Sequence, residues 1–260
     1  MKSKLSAVLL AALITVFALV PSGVGAAGIS YVPTSWYYSS KYYQRLKDVP
    51  LTGDKAFDIV NVASSQLGYC EGDNMSELDG KNPFGTKNYT EYGYWFGTEV
   101  MGYDEGLWSA WCAFFISWCA RQAGVSQYVV SNAAYAKPDG ASSIGFGYFH
   151  VDEISPRGFV PQTGDLIFFD WETRGKWDHV GFVYYVDNGR VATIEGNATD
   201  GTLLRLYDLN DPVIRAYGRP KYGDMQPGHA ELIKAKGRAQ RVLRTSIDSV
   251  CEFLGAEPKR

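Results

Sequence analysis

The sequence predicts an α+β domain in which N-terminal helices pack on an antiparallel β-sheet. Three observations carry this prediction. Residues 54–67, "DKAFDIVNVASSQL", place apolar side chains at helical spacing (Phe57, Val60, Ala63, Leu67), and "SAWCAFFISWCARQAG" at 109–124 is a second, more apolar helix. From Gly164 onward the text changes to short apolar runs, "GDLIFFDW", "HVGFVYYV", "RVATIEGNA", "TLLRLYDL" and "VIRAYGRP", separated by Gly, Asn, Asp and Pro turns.

Residues 1–27 read as a signal peptide. Lys2 and Lys4 precede an uncharged apolar run from Ala7 to Val20, which is short for a bilayer span, and the small residues Ala26 and Ala27 suit a cleavage site. The expected product is secreted or extracellular, wall-associated at most, with no stable membrane insertion after the signal is removed. Residues 28–53 form a Tyr-rich extension punctuated by Pro, expected to be loosely structured with its aromatics packed on the domain or a neighbour. The first helix then has Asp54 as N-cap and Gly68 as its stop. Residues 69–108 are loop-rich and include "YGYWFG", and a loop that long commonly lines a site. The second helix has Ser109 as candidate N-cap. Residues 54–222 make up the main domain, and residues 223–260 a basic helical tail with a break expected at Gly237. The tail reads better as a helix packed on the domain than as a wall-binding element.

The chain has 260 residues, 46% hydrophobic and 20% charged, enough for one domain with a sizeable core. Its net charge of −3, which becomes −5 once the two signal-peptide lysines leave, argues against nucleic acid as a partner. No stretch reads as a phosphate-cradling glycine loop, and the sequence does not specify an oligomeric state. Export into an oxidising compartment permits disulfides among Cys70, Cys112, Cys119 and Cys251. If one of the four is a nucleophile, three remain and cannot all pair within one chain. The sequence fixes no bridge, Cys70 with Cys251 being the least implausible.

Nucleophilic thiol chemistry needs a base within hydrogen-bond reach and a polar group to orient that base. The three histidines are His150, His179 and His229. His179 opens a strand, and the next strand carries Glu195 and Asn197 two residues apart. Asp178, beside the proposed base, points to the other face. Cys112 lies in the first turn of its helix, where open backbone N–H groups and the helix dipole favour a thiolate, whereas Cys119 lies in the apolar middle and reads as core. Taken alone, Cys112 would read as a buried structural cysteine. Its position, and the His–Glu–Asn set downstream, reverse that. His150 and His229 read as structural.

Strand register makes the reading testable. A plain two-residue hairpin at Asn188–Gly189 would pair Asp187 with Arg190 and put Glu195 on the face opposite His179. The constellation therefore demands a loop of three or five residues, or a bulge.

The runs "WCAFFISW", "TGDLIFFDW", "DHVGFVYYVDNGRVATIEGNA" and "RAYGRPKY", in that order, resemble the cysteine, histidine-dependent amidohydrolase/peptidase (CHAP) family of bacterial cell-wall hydrolases. The resemblance spans Asp54 to Tyr222 and implies a papain-like (CHAP/NlpC-type) fold. It also implies a thiol hydrolase that cleaves amide bonds in peptidoglycan, either as an N-acetylmuramoyl-L-alanine amidase or as a stem or cross-bridge endopeptidase, without cofactor or metal. By that resemblance Cys112 is the nucleophile, His179 the base and Glu195 its orienting group, and Asn197 supports the same network or the substrate. Gly164 and Asp165 match the family's Gly-Asp before the His strand. Two departures stand out. Trp111 occupies the place of a glutamine that many members carry before the Cys, so no side-chain oxyanion donor carries over. Asp104 and Glu105 lack the spacing of the calcium loop found in some members and read as surface residues. A catalytically silent glycan- or peptide-binding module on the same fold is the alternative outside enzymology. An NlpC-type endopeptidase is the alternative within it, though "AWCAFF" lacks the Asp-Cys-Ser signature.

Overall fold

A computed structural model describes residues 31–102, 104–129, 154–155, 160–171 and 177–253. The signal peptide and His150 lie outside the described residues, as do the side chains of Asp104, Glu105 and Cys251.

The helical half begins earlier than the sequence predicts. The extension expected to be loosely structured forms α1 (Ser35–Tyr38) and α2 (Lys41–Lys47), whose N-caps Thr34 and Ser40 accept the amides of Tyr37 and Tyr43. Tyr37, Tyr42 and Leu46 are fully buried in the same core as the later helices. The tyrosines can be buried because their hydroxyls find acceptors. Tyr37 and Tyr92 both donate to the buried Gln66 Oε1, at 2.9 and 3.1 Å. Glu91 fastens the start of the segment, accepting the Tyr31 hydroxyl at 2.9 Å and both the amide (3.0 Å) and hydroxyl (2.6 Å) of Thr34. Removal from water pushes the Glu91 carboxyl up to about 7, the hydrogen bonds from Thr34 and Tyr31 working in the opposite direction.

α3 (Lys55–Ser65) starts at the predicted cap, Asp54 accepting the Phe57 amide at 3.1 Å, and Gly68 follows it with φ +85°. The segment after it contains α4 (Glu91–Trp95), a π-turn over Phe96–Met101 and a 3₁₀ turn over Asp104–Trp108. Tyr92, Trp95 and Phe96 of "YGYWFG" are core, as is Trp111, while Trp108 is half exposed. α5 (Cys112–Gln122) and α6 (Ser126–Val129) complete the half.

The strands are β1 (Ile154–Ser155), β2 (Leu166–Phe169), β3 (His179–Asp187), β4 (Arg190–Ala198), β5 (Gly201–Asp208) and β6 (Ile214–Gly218). They form one antiparallel sheet in the order β1-β6-β2-β3-β4-β5. α5 lies across β3 and β4. Phe115 seats directly on Gly196, where a methyl group would come within 2.6 Å of its ring. Alternation divides the sheet: Val180, Phe182, Tyr184, Ala192 and Ile194 join the helix-side core, while Ile167, Phe169, Val183 and Val191 form a second apolar cluster on the other face.

α7 (His229–Phe253) runs through Gly237 without the expected break. The glycine is there for contact rather than as a stop, since a Cβ at 237 would meet the Tyr185 ring at 2.3 Å and the Tyr184 ring at 3.0 Å. Lys234 and Arg238 pair with Asp187 at the end of β3, and Lys236 donates to Asn61 Oδ1 and Ser64 Oγ on α3, both at 2.9 Å. Burial draws the Lys236 amine down to about 8. His229 stacks on Phe57 and hydrogen-bonds Asp54 at 2.9 Å, so it fastens the tail. Among the described residues no helix is long and apolar enough to cross a membrane.

Candidate active site

Cys112 is the first residue of α5. The helix begins three residues after Ser109, with Trp111 in the cap position and no side-chain hydrogen bond capping it. Ser109 is therefore not the cap. The Trp111 ring donates Nε1–H to the buried Glu71 at 2.8 Å. Glu71 also accepts the Asn88 amide at 2.8 Å, so one carboxylate ties the loop after α3 to the residue before the thiol. Burial raises the Glu71 pKa, partly offset by those two hydrogen bonds. The buried Cys112 sulfur thus sits at the positive end of a helix whose first amides are not capped by a side chain. Cys119 lies two turns on in full burial, which pushes its thiol well above the ordinary range.

His179 opens β3, paired with Phe169 of β2. Its ring is buried, and Nε2 lies 2.9 Å from Glu195 Oε2. The Cys112 thiol acts on the same ring, favouring its charged form. Burial alone would lower the His179 pKa. Interaction of the charged ring with Cys112 and Glu195 outweighs it and raises the value to about 9.

The β3–β4 hairpin is the two-residue turn that by itself puts Glu195 on the wrong face. Asn188 and Gly189 both have positive φ, 50° and 75°, and Asp187 pairs with Arg190. A bulge corrects the parity. Between Val183↔Thr193 and Tyr185↔Ala192 the register slips by one residue at Tyr184, so beyond it His179, Gly181 and Val183 share a face with Thr193 and Glu195. Gly181 then keeps the path open, since a Cβ there would lie 2.7 Å from Glu195 Cγ. The carboxylate crosses that gap to reach the imidazole.

Sequence reasoning missed the residues around this pair. Thr193 donates to Glu195 Oε1 at 2.5 Å, and Tyr207 donates to Oε2 at 3.4 Å. Trp171 stacks on the imidazole with ring centres 3.9 Å apart and planes 23° apart. Thr193, two residues before Glu195 on the same strand face, was discoverable by alternation. Trp171 and Tyr207 gave no such signal. Asp178 accepts the Trp171 amide at 3.0 Å.

Two predicted residues lie apart from this cluster. Asn197 sits in a second bulge, between Glu195 and Ala198, with φ +59°. The left-handed backbone takes it out of the strand's alternation, and it makes no hydrogen bond to His179 or Glu195. Asp165 lies at the other end of β2 from His179, where its carboxylate accepts Arg219 Nε (2.9 Å), an Arg219 terminal amine (2.8 Å) and the Gln162 amide (2.7 Å). The "TGD" and "YGRP" runs thus form one structural clasp. A cavity of about 520 Å³ opens at that end between the clasp and α7, and none of Cys112, His179 or Glu195 lines it.

The fold and this cluster define a class: an α+β domain in which a thiol at a helix N-terminus faces an imidazole backed by a buried carboxylate. Residues 101–197 match the family model described as CHAP domain. That segment is thus similar to CHAP domains, a family of hydrolytic amidases and peptidases that act on peptidoglycan, and the helices and antiparallel sheet of this chain agree with the CHAP/papain-like fold. No curated protein matches the chain. Among solved structures it is similar to the crystal structure of Ly7917, with 16% identity, a TM-score of 0.39 and coverage of 66% of this chain. The match spans 63% of that protein's length.

Proposed function

We propose that the protein is an exported thiol hydrolase that cleaves an amide bond in peptidoglycan through Cys112, His179 and Glu195. The observation that carries this reading is the buried imidazole that meets Glu195 at 2.9 Å and interacts with Cys112, the first residue of α5, whose N-terminus no side chain caps.

The chemistry follows from that geometry. His179 takes the thiol proton, and the resulting thiolate–imidazolium pair is stabilised by Glu195 and the helix N-terminus. The thiolate attacks the amide carbonyl carbon, and the oxygen gains negative charge near the backbone N–H of Cys112. His179 gives its proton to the leaving amine as the C–N bond breaks, leaving an acyl group on the sulfur. Water, deprotonated by His179, then releases the acid and restores the thiol. Glu195 holds the imidazole in one orientation throughout, itself held by Thr193 and Tyr207. Of the two roles open to Asn197, contact with substrate agrees better with its place outside the hydrogen-bonded set.

Mass spectrometry of fragments released from purified peptidoglycan by wild type and by Cys112→Ala tests the reading. Fragments from wild type alone support it, and their masses separate an amidase from an endopeptidase. Equal digestion by both overturns it. Export rests on the residue pattern of positions 1–27, and a secreted product beginning at about residue 28 would support it.

A further inference from the structure

The sheet face that presents His179 and Glu195 also carries Arg205, which pairs with Thr193 in the β4–β5 register. Other arginines on or beside this sheet meet carboxylates. Arg190 binds Asp208 at 3.0 Å, Arg215 lies 3.5 Å from Asp170, and Arg219 grips Asp165. Arg205 differs. Among the described residues its neighbours are the Thr199 hydroxyl at 2.7 Å, the Trp171 ring at 5.3 Å from the centroid, and the Tyr207 phenol, on which its charge acts. None of the three neutralises it.

A guanidinium has five N–H donors in a planar fork suited to a carboxylate, and a cation–π contact with an indole restrains that fork without using its donors. The indole in question is the one that stacks on His179 at 3.9 Å. The two centroid distances together set an upper limit on the separation of guanidinium from imidazole. An extended peptide advances at most ~3.3–3.6 Å per residue, so that span corresponds to roughly two or three residues of a bound chain.

We propose that Arg205 is a specificity-determining residue that binds a carboxylate of the peptide substrate within roughly two or three residues of the bond to be cut. The proposal rests on the hydrolase reading of Cys112 and His179. It assigns to that site a preference for acidic stem peptides with free carboxylates over the same peptides amidated.

The test compares untreated peptidoglycan with peptidoglycan whose carboxylates have been converted to amides by carbodiimide and ammonia. Wild type is expected to favour the untreated polymer by about ten- to hundredfold in kcat/KM, the range of a charge-assisted hydrogen bond. Arg205→Gln should fall on the untreated polymer alone and lose the preference, and Arg205→Lys should keep part of it. Alkylation of Cys112 by iodoacetamide should proceed equally in all three, which reports an intact fold and thiol. An equal fall of Arg205→Gln on both polymers, or an unchanged preference, overturns the assignment. If Cys112→Ala digests either polymer as wild type does, the hydrolase reading fails instead, and that outcome is visible separately.

Discussion

In Gly181→Ala the added methyl group lies 2.7 Å from Glu195 Cγ, 3.3 Å from the Ile194 carbonyl oxygen and 3.6 Å from Ile167 Cγ2. The backbone at 181 is not left-handed, so alanine brings no conformational strain and the perturbation is purely steric. Of the three neighbours, the strand carbonyl is fixed by the ladder and Ile167 is already at ordinary contact distance, which leaves the carboxylate side chain to move. Its displacement would lengthen the 2.9 Å bond to His179 and the 2.5 Å bond from Thr193. Loss of one hydrogen bond to a buried charge costs about 1.5–3 kcal/mol, or about ten- to hundredfold in kcat/KM on dye-labelled peptidoglycan. Overpacking adds about 1–3 kcal/mol of destabilisation, read as a fall in the thermal midpoint. A double-mutant cycle identifies the route. If the methyl acts through Glu195, Gly181→Ala added to Glu195→Gln costs little beyond Glu195→Gln alone. Wild-type kcat/KM and an unchanged pH profile in Gly181→Ala would refute the account of how the carboxylate reaches the imidazole.

Three further outcomes follow from the same geometry. His179 is raised from 6.5 to about 9, so the imidazolium contributes stability that is fully present below about pH 6.5 and lost as pH rises through about 9; activity should decline across the same alkaline limb, and Glu195→Gln should move that limb to lower pH in a kcat/KM profile. Iodoacetamide should label native protein at Cys112 and spare Cys119, with peptide mapping as the readout and equal labelling of both as the contrary result. Gly237→Ala gains helix propensity of about 1 kcal/mol but drives a methyl group into Tyr185, so a net loss of about 1–2 kcal/mol and earlier proteolysis of the tail are expected in place of the usual stabilisation.

The chemistry was more legible in the sequence than the geometry that delivers it. Cys112, His179 and Glu195 could be picked out as candidates because a thiol, a base and its orienting carboxylate restrict residue type, and a helix start and two adjacent strands restrict placement. The bulge at Tyr184 could not be read. "DNGR" signals a two-residue turn, which is what forms, and the extra residue is accommodated where Tyr184 and Tyr185 pack against Gly237 of a helix some fifty positions later. The position of Asn197 could not be read for a related reason, since a left-handed residue inside "EGNAT" breaks the alternation that would put it on the face of Glu195. Gly237 looked like a stop because a glycine inside a helix is locally unfavourable. Tertiary contact with two tyrosines overrides that local preference. The Tyr-rich extension looked loose because its helices are too short to show a periodic stripe. Their order comes from the caps Thr34 and Ser40 and from Glu91, far along the chain.

The interleaving of these segments bears on where the protein can be cut. Tyr37 and Tyr42 before α3, and Ile233 on α7, belong to one apolar cluster with Phe115 and Phe182. A fragment limited to residues 101–197 would keep the thiol, the imidazole and the carboxylate, yet expose the tyrosine cluster and the inner side of β3 to water. β2 pairs with β6, so such a fragment would also leave one side of a central strand without its hydrogen-bond partner. The part that matches the family is therefore smaller than the part that folds, and a deletion series from either end should lose solubility before it reaches Cys112, His179 or Glu195.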